Sequence, residues 1–249
     1  DITNEDAVKK MIREYRPSVI FHCAAYTAVD KAEEEQEKCY QVNVLGTKYL
    51  TEAAKEMDAK IIYISTDYVF DGTKEGLYQV EDKVNPVNYY GKTKYLGENF
   101  VRAYDNHIIV RISWVFGING KNFIRTMLNL AESHKELNVV CDQIGSPTYT
   151  KDLAGLLVNM FLSNVKGLYH VTNEGYCSWY EFAEFIFKES RKKVKVHPIL
   201  TKDYKTIAKR PLNSKLSKES LDDIGMKRLP EWQDAVKRYI CELKKEGVK

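Results

Sequence analysis

The stretch from Ser65 to Lys94 constrains this chain more than any other. An apolar run of strand length and largely β-branched composition, Ile61-Ile62-Tyr63-Ile64, leads into it. Ser65-Thr66-Asp67-Tyr68-Val69-Phe70-Asp71-Gly72 follows, so the Thr66 hydroxyl stands where a buried strand surfaces. Open parallel sheets bind ligands outside those carboxyl ends. The far end, Tyr89-Tyr90-Gly91-Lys92-Thr93-Lys94, opens a helix. Tyr90 and Lys94 are four apart and so share one helical face. A free phenol titrates near pH ~10, and an ammonium one turn away favours its phenolate and lowers that pKa. A Thr hydroxyl aimed at the same point holds a substrate oxygen. Together the three groups can deliver a proton to a carbonyl oxygen while a hydride reaches its carbon. A lone Tyr/Lys pair reads more simply as a surface Tyr beside a solvated Lys; the strand-end Thr upstream tilts the reading to chemistry.

The pattern Thr66…Tyr90-x-x-x-Lys94 resembles the catalytic triad of extended short-chain dehydrogenases/reductases. The wording Ser-Thr-Asp-Tyr-Val-Phe-Asp-Gly, followed by Tyr-Gly-Lys-Thr-Lys, is similar to one branch of them, the dTDP-4-dehydrorhamnose reductases, and the likeness covers nearly the whole chain. The resemblance implies NADPH or NADH as cofactor and a dTDP-4-keto-6-deoxysugar as substrate. It implies Tyr90 as general acid, Lys94 as the group that tunes it and holds the nicotinamide ribose, and Thr66 as the group that orients the keto oxygen. Asp67 and Trp114 are expected to place the sugar. Some members of the family depend on Mg2+; no carboxylate cluster here marks a site, so no metal ligand is assigned. A homodimer is left open.

Composition fits an ordinary soluble globular chain. The 249 residues suffice for a sizeable core, 44% are apolar, and the net charge of +3 is too small to argue for nucleic acid or a membrane surface. No apolar run approaches the ~18 residues of a spanning helix, and no signal peptide opens the chain. The five Cys form no C-x-x-C, which suggests reduced thiols and a cytoplasmic setting. His22-Cys23 lies in an apolar strand and reads as core rather than metal ligand.

In chain order, Asn4 caps a helix over 5–15 that Pro17 ends. A strand spans 19–23, and Ala24-Ala25-Tyr26-Thr27 follows as a small-residue loop at its carboxyl end. The resemblance sets that loop, with Ser65, against the cofactor, and sets Asp1-Ile2 near its adenine. A long or broken helix spans 33–57, a strand 60–65, a loop 71–88, a helix 89–104 and a strand 108–113. This alternation predicts an α/β fold with a doubly wound, Rossmann-like parallel sheet. Trp114 ends the last strand; the family match makes it a sugar contact, whereas the residue alone reads as packing. A helix starting near Lys121-Asn122 comes next, with Asn122 expected at the substrate. Then follow a strand over 139–141, a turn-rich loop over 142–148, a helix over 150–162 and a strand over 167–171. The aromatic helix over 178–188 carries Trp179, Phe182, Phe185 and Ile186, read as core. A strand over 192–199, a basic irregular stretch over 201–220 and a helix over 231–245 finish the chain. Arg210-Pro211 resembles the family's nucleotide-sugar border, where Arg210 meets a diphosphate. The expected division is a cofactor-binding part over 1–140, catalytic residues included, and a smaller α+β substrate-binding part over 141–249, interleaved with the first.

The Gly-rich turn that carries a pyrophosphate on a helix N-terminus has no counterpart before the first helix. By comparison with the family ~40 residues are absent, and the usual βαβ unit alone is ~30. The chain as it stands is therefore expected to hold nicotinamide cofactor weakly. The alternatives weighed are a nucleotide-sugar epimerase or dehydratase of the same superfamily, which retains its cofactor, and a regulatory subunit resembling the methionine adenosyltransferase β subunit. The reductase wording and the intact Tyr90/Lys94 pair favour the first reading.

Overall fold

Local chemistry starts the fold at Asn4. In this computed structural model, which describes residues 1–247, its side chain accepts the Ala7 amide proton at 3.0 Å and begins α1 (Glu5–Tyr15). The chain continues through β1 (Val19–His22), α2 (Val29–Glu34), α3 (Gln36–Tyr40), a π-helical turn (Gln41–Leu45) and α4 (Gly46–Glu56). Then come β2 (Lys60–Thr66), α5 (Tyr89–Arg102), β3 (His107–Ile112), β4 (Val115–Phe116) and α6 (Phe123–Leu130). β5 (Glu136–Val140), β6 (Ile144–Gly145), β7 (Thr148–Tyr149), α7 (Thr150–Leu162), β8 (Gly167–His170) and β9 (Cys177–Ser178) follow. α8 (Trp179–Ser190), β10 (Lys195–Ile199), α9 (Glu219–Asp222) and α10 (Trp232–Lys245) complete the described chain.

The main sheet runs β1-β2-β3-β8, every pair parallel. Its strands alternate faces, as a period of two requires. Ile61, Tyr63 and Ile109 pack with Val8 and Ile12 of α1 and with Leu50 and Ala53 of α4. Ile62, Ile108 and Val110 turn the other way, onto Leu153, Leu156 and Met160 of α7. Helices thus cover both faces, and the sheet is doubly wound. A third core, built around Phe116, Phe182, Trp232 and Tyr239, binds α6, α8 and α10 together. α8 starts with a full capping box, the Ser178 hydroxyl taking the Glu181 amide proton while the Glu181 carboxylate takes that of Ser178.

Two segments depart from the sequence reading. The span 33–57 is four pieces rather than one or two, and its π turn presents Asn43, which bonds the Tyr26 backbone and the Thr93 hydroxyl. The loop over 142–148 contains β6 and the start of β7, because β6 pairs with β9 and β7 with β4, and Ile144 also exchanges backbone hydrogen bonds with Leu212 and Ser214 far along the chain. Both are long-range pairings that local pattern does not encode.

Candidate active site

A cavity of about 680 Å³ opens at the carboxyl ends of β1, β2 and β3. Its wall includes Ala25, Thr27, Ser65, Thr66, Asp67, Tyr90, Lys94, Trp114 and Asn122, so most of the residues expected at the site converge there. Trp179 and Phe182 line it too.

Helix docking brings Tyr90 to Thr66. Asn88 caps α5 by accepting the Gly91 amide proton at 2.8 Å. A Cβ on Gly91 would lie 2.1 Å from the Tyr68 carbonyl oxygen, so only glycine lets the helix come this close. The Tyr90 ring meets Tyr68 edge-on, with centroids 5.9 Å apart. One turn on, Lys94 is 2% exposed and stands 4.1 Å over the face of Tyr63. Among the described residues its ammonium makes no hydrogen bond and no ion pair.

The charges differ from the sequence expectation in one respect. Tyr90 is not tuned down by Lys94. Burial raises its pKa, the Asp67 carboxylate raises it further, and only the Thr66 hydroxyl pulls the other way. The Lys94 ammonium lies over Tyr63 and itself pays for burial, which brings its pKa down to about 7. Tyr90 therefore holds its proton at neutral pH, the state a proton donor needs. Asp67 is buried, and burial raises its pKa to about 6. Its Oδ1 accepts from the Thr66 hydroxyl at 3.0 Å; its Oδ2 has no hydrogen-bond partner, although Ser214 is near enough to favour the charged form.

Other expected residues are engaged elsewhere. Asp1 accepts from Thr3, and Ile2 packs on Gly46; neither reaches the cavity. The loop after β1 alternates, with Cys23, Ala25, Thr27 and Val29 lining the cavity while Ala24 and Tyr26 do not. Tyr26 is fastened instead to Asn43 and Glu35. Ser65 borders the cavity, but its hydroxyl donates to Glu98 at 2.5 Å. Asn122 caps α6 and gives its amide protons to Gly117 and Tyr239, so its polar atoms are committed to the fold. Arg210 is off the wall, forked onto Asp30 at 2.7 and 3.1 Å. Trp114 has φ +48, a strained backbone for a bulky residue, and stacks on Trp179 at 3.6 Å. It both packs and faces the cavity.

The sequence reading missed Glu98 and Arg111, a fully buried ion pair directly behind Ser65. A charged residue inside the apolar strand Ile108–Ile112 was the available signal, since such a group demands a partner. Among the described residues no cluster of His, Cys, Asp or Glu could hold a metal, and His22 is buried against Thr47. No helix among them is long and apolar enough to cross a membrane.

A buried ammonium without a hydrogen bond or ion pair among the described residues, a phenol holding its proton and a strand-end hydroxyl on one cavity could receive the ribose and nicotinamide end of a dinucleotide. Comparisons with known proteins give the family. The family model described as the RmlD substrate binding domain matches residues 1–245. The chain is 44% identical over 250 residues to a dTDP-4-dehydrorhamnose reductase of Aggregatibacter actinomycetemcomitans, with 95% of this chain and 85% of that protein covered. A crystal structure of a dTDP-4-dehydrorhamnose reductase from Clostridium acetobutylicum superimposes with a TM-score of 0.96 at 44% identity, covering 98% of this chain and 87% of that one. The Bacillus anthracis reductase, solved in complex with NADP, gives a TM-score of 0.95 at 41% identity, over 97% and 86%.

Proposed function

The chain belongs to the dTDP-4-dehydrorhamnose reductase family, and from that premise we propose that it reduces the 4-keto group of dTDP-4-dehydro-L-rhamnose to give dTDP-L-rhamnose. The observation that carries the reading is the meeting of Thr66, Tyr90 and Lys94 on one cavity wall. A nicotinamide dinucleotide, when bound, supplies the hydride. Lys94 would take the ribose hydroxyls as hydrogen-bond acceptors; its ammonium has no competing partner, and a bound hydroxyl would offset the cost of its burial. Thr66 would turn its hydroxyl from Asp67 to the keto oxygen. Tyr90 would give its proton to that oxygen as negative charge develops there. Trp114, with the neighbouring Trp179, would wall the sugar, and Asp67 on the same cavity would help place it. We read residues 1–140 as the cofactor-binding part and 141–249 as mainly the substrate-binding part, interleaved through β8.

The test is a turnover assay with dTDP-4-dehydro-L-rhamnose and NADPH or NADH. Oxidation of one cofactor per dTDP-L-rhamnose formed is the expected result. Sugar conversion with no net oxidation would make the protein an epimerase, and no conversion with intact cofactor binding would make it a binding subunit.

A further inference from the structure

Behind the wall that carries Thr66 lies a charge cluster to which the reduction itself assigns no task. Tyr90, Lys94 and Glu98 follow at four-residue spacing on one face of α5, and the Glu98 side chain is as deeply buried as any in the chain. Its Oε1 accepts from Ser65 Oγ at 2.5 Å and from Arg111 Nε at 2.9 Å. Its Oε2 accepts from Arg111 Nη2 at 2.8 Å and from Arg102 Nη2 at 3.3 Å. Ser65 and Arg111 are register partners on β2 and β3, so one carboxylate ties both strands to the catalytic helix. Arg111 Nη1 then reaches the Val80 carbonyl in the loop before α5, and the guanidinium lies 5.0 Å over Phe70.

We propose that Glu98 is a positioning residue for the reduction. Through Ser65 it fixes the end of β2, and so Thr66, against the helix that carries Tyr90 and Lys94, and it is the carboxylate that faces Lys94 from the same helix. The inference rests on the function proposed above. Three groups can favour the Lys94 ammonium against burial: Glu98 on α5, and Cys23 after β1 and Cys39 on α3, whose thiols burial keeps protonated. His22 on β1, uncharged because burial brings its pKa down to about 3, and the Tyr63 ring on β2 also lie near it, and Tyr90 lines the same cavity. Of these, Glu98 alone is a carboxylate. Arg111 holds it ionised: its pKa lies below the ordinary glutamate value despite burial, with Arg111 and the Ser65 hydroxyl opposing that burial. Glu98 thereby keeps its carboxylate charged, paired to Arg111, at a place solvent does not reach, and it does so without contact with the reacting atoms. A Glu at this position that only filled space would leave both the protonation of Lys94 and the geometry of Thr66 untouched when its charge was removed.

The test reads Lys94 directly. In cofactor-free protein labelled with [13C]lysine, the Lys94 ε-carbon signal, identified by its loss in Lys94→Met, is followed against pH. Glu98→Gln should shift the Lys94 midpoint to lower pH by roughly one unit, and Glu98→Gln/Arg111→Met, which leaves no unpaired buried charge but also removes a cation, should shift it in the same direction by less. Ser65→Ala, which deletes one hydroxyl and leaves the ion pair whole, should lower kcat about tenfold or more with the melting temperature held within a few degrees, since small misplacements of reacting groups are costly. An unmoved Lys94 midpoint in a folded Glu98 variant overturns the proposal, as does unchanged kcat in Ser65→Ala. Should both Glu98 variants fail to fold, Ser65→Ala decides alone. Wild-type protein that turns nothing over would refute the proposed function instead, and the titration would still decide the part played by Glu98.

Discussion

At the scale of single residues, Asp67 has a charge that the fold itself disfavours. Its pKa rises on folding from the carboxylate range to about 6 because burial penalises the ionised form. The folded state therefore binds the proton more tightly than the unfolded one between pH ~4 and ~6, and stability falls as pH rises through that window. Asp67→Asn should raise the melting temperature at pH 7.5, by an amount equivalent to about 1–2 kcal/mol, and by about half as much at pH 5. Thermal melts at the two pH values check it, and kcat/KM for the sugar should drop in the same variant. Lys94→Met should weaken cofactor, read by isothermal titration, and lower kcat by ~10²-fold or more. Thr66, Tyr90 and Lys94 stood out because a strand-end Thr precedes a helix-start Tyr/Lys pair in wording similar to the family's. The direction of the Tyr90 shift was not legible: it depends on how deeply α5 and Asp67 bury the phenol, which no local spacing states.

At the scale of elements, two glycines in helices separate packing from propensity. Gly155 on α7 has nothing within 4 Å of a would-be Cβ, so Gly155→Ala should stabilise by ~0.5–1 kcal/mol through helix propensity alone. Gly91→Ala makes the same local gain on α5 but drives its Cβ onto the Tyr68 carbonyl. Overpacking costs ~1–3 kcal/mol, which outweighs the gain, and the helix must draw back with Tyr90. Chemical denaturation should show the two variants moving in opposite directions, and only Gly91→Ala should lose activity. Helix α1 was readable almost to the residue from its Asn4 cap and α7 from its apolar spacing, because both are local signals. The π turn at Gln41–Leu45 and strand β6 were not, since Asn43 and Ile144 find their partners in distant segments.

At the scale of the whole molecule, the cavity is shared between the parallel sheet and the α6/α8 layer. Thr66, Tyr90 and Lys94 form one side, with Trp114, Trp179 and Phe182 among the other lining residues. Segment 208–218 runs back across the chain, bonding Asp30 through Ala208 and Arg210, and Ile144 through Ser214. That return path was invisible in a stretch that read as basic and irregular, whereas the α/β class was legible from the alternation of helix and strand. Arg210→Met should loosen the fastening to Asp30 and raise KM for the nucleotide sugar several-fold with little change in kcat, as a steady-state titration of substrate would show. The central claim is that this chain delivers a hydride to C4 of the keto sugar while Tyr90 supplies the proton. Its most direct test is turnover of dTDP-4-dehydro-L-rhamnose with NADPH deuterated at the transferring position, for wild type and Tyr90→Phe at saturating cofactor. The account requires deuterium at C4 of dTDP-L-rhamnose from the wild type and a kcat ~10²–10⁴-fold lower in Tyr90→Phe. Product without deuterium, or a Tyr90→Phe rate within about threefold of wild type, too small a loss for a missing general acid, would contradict it.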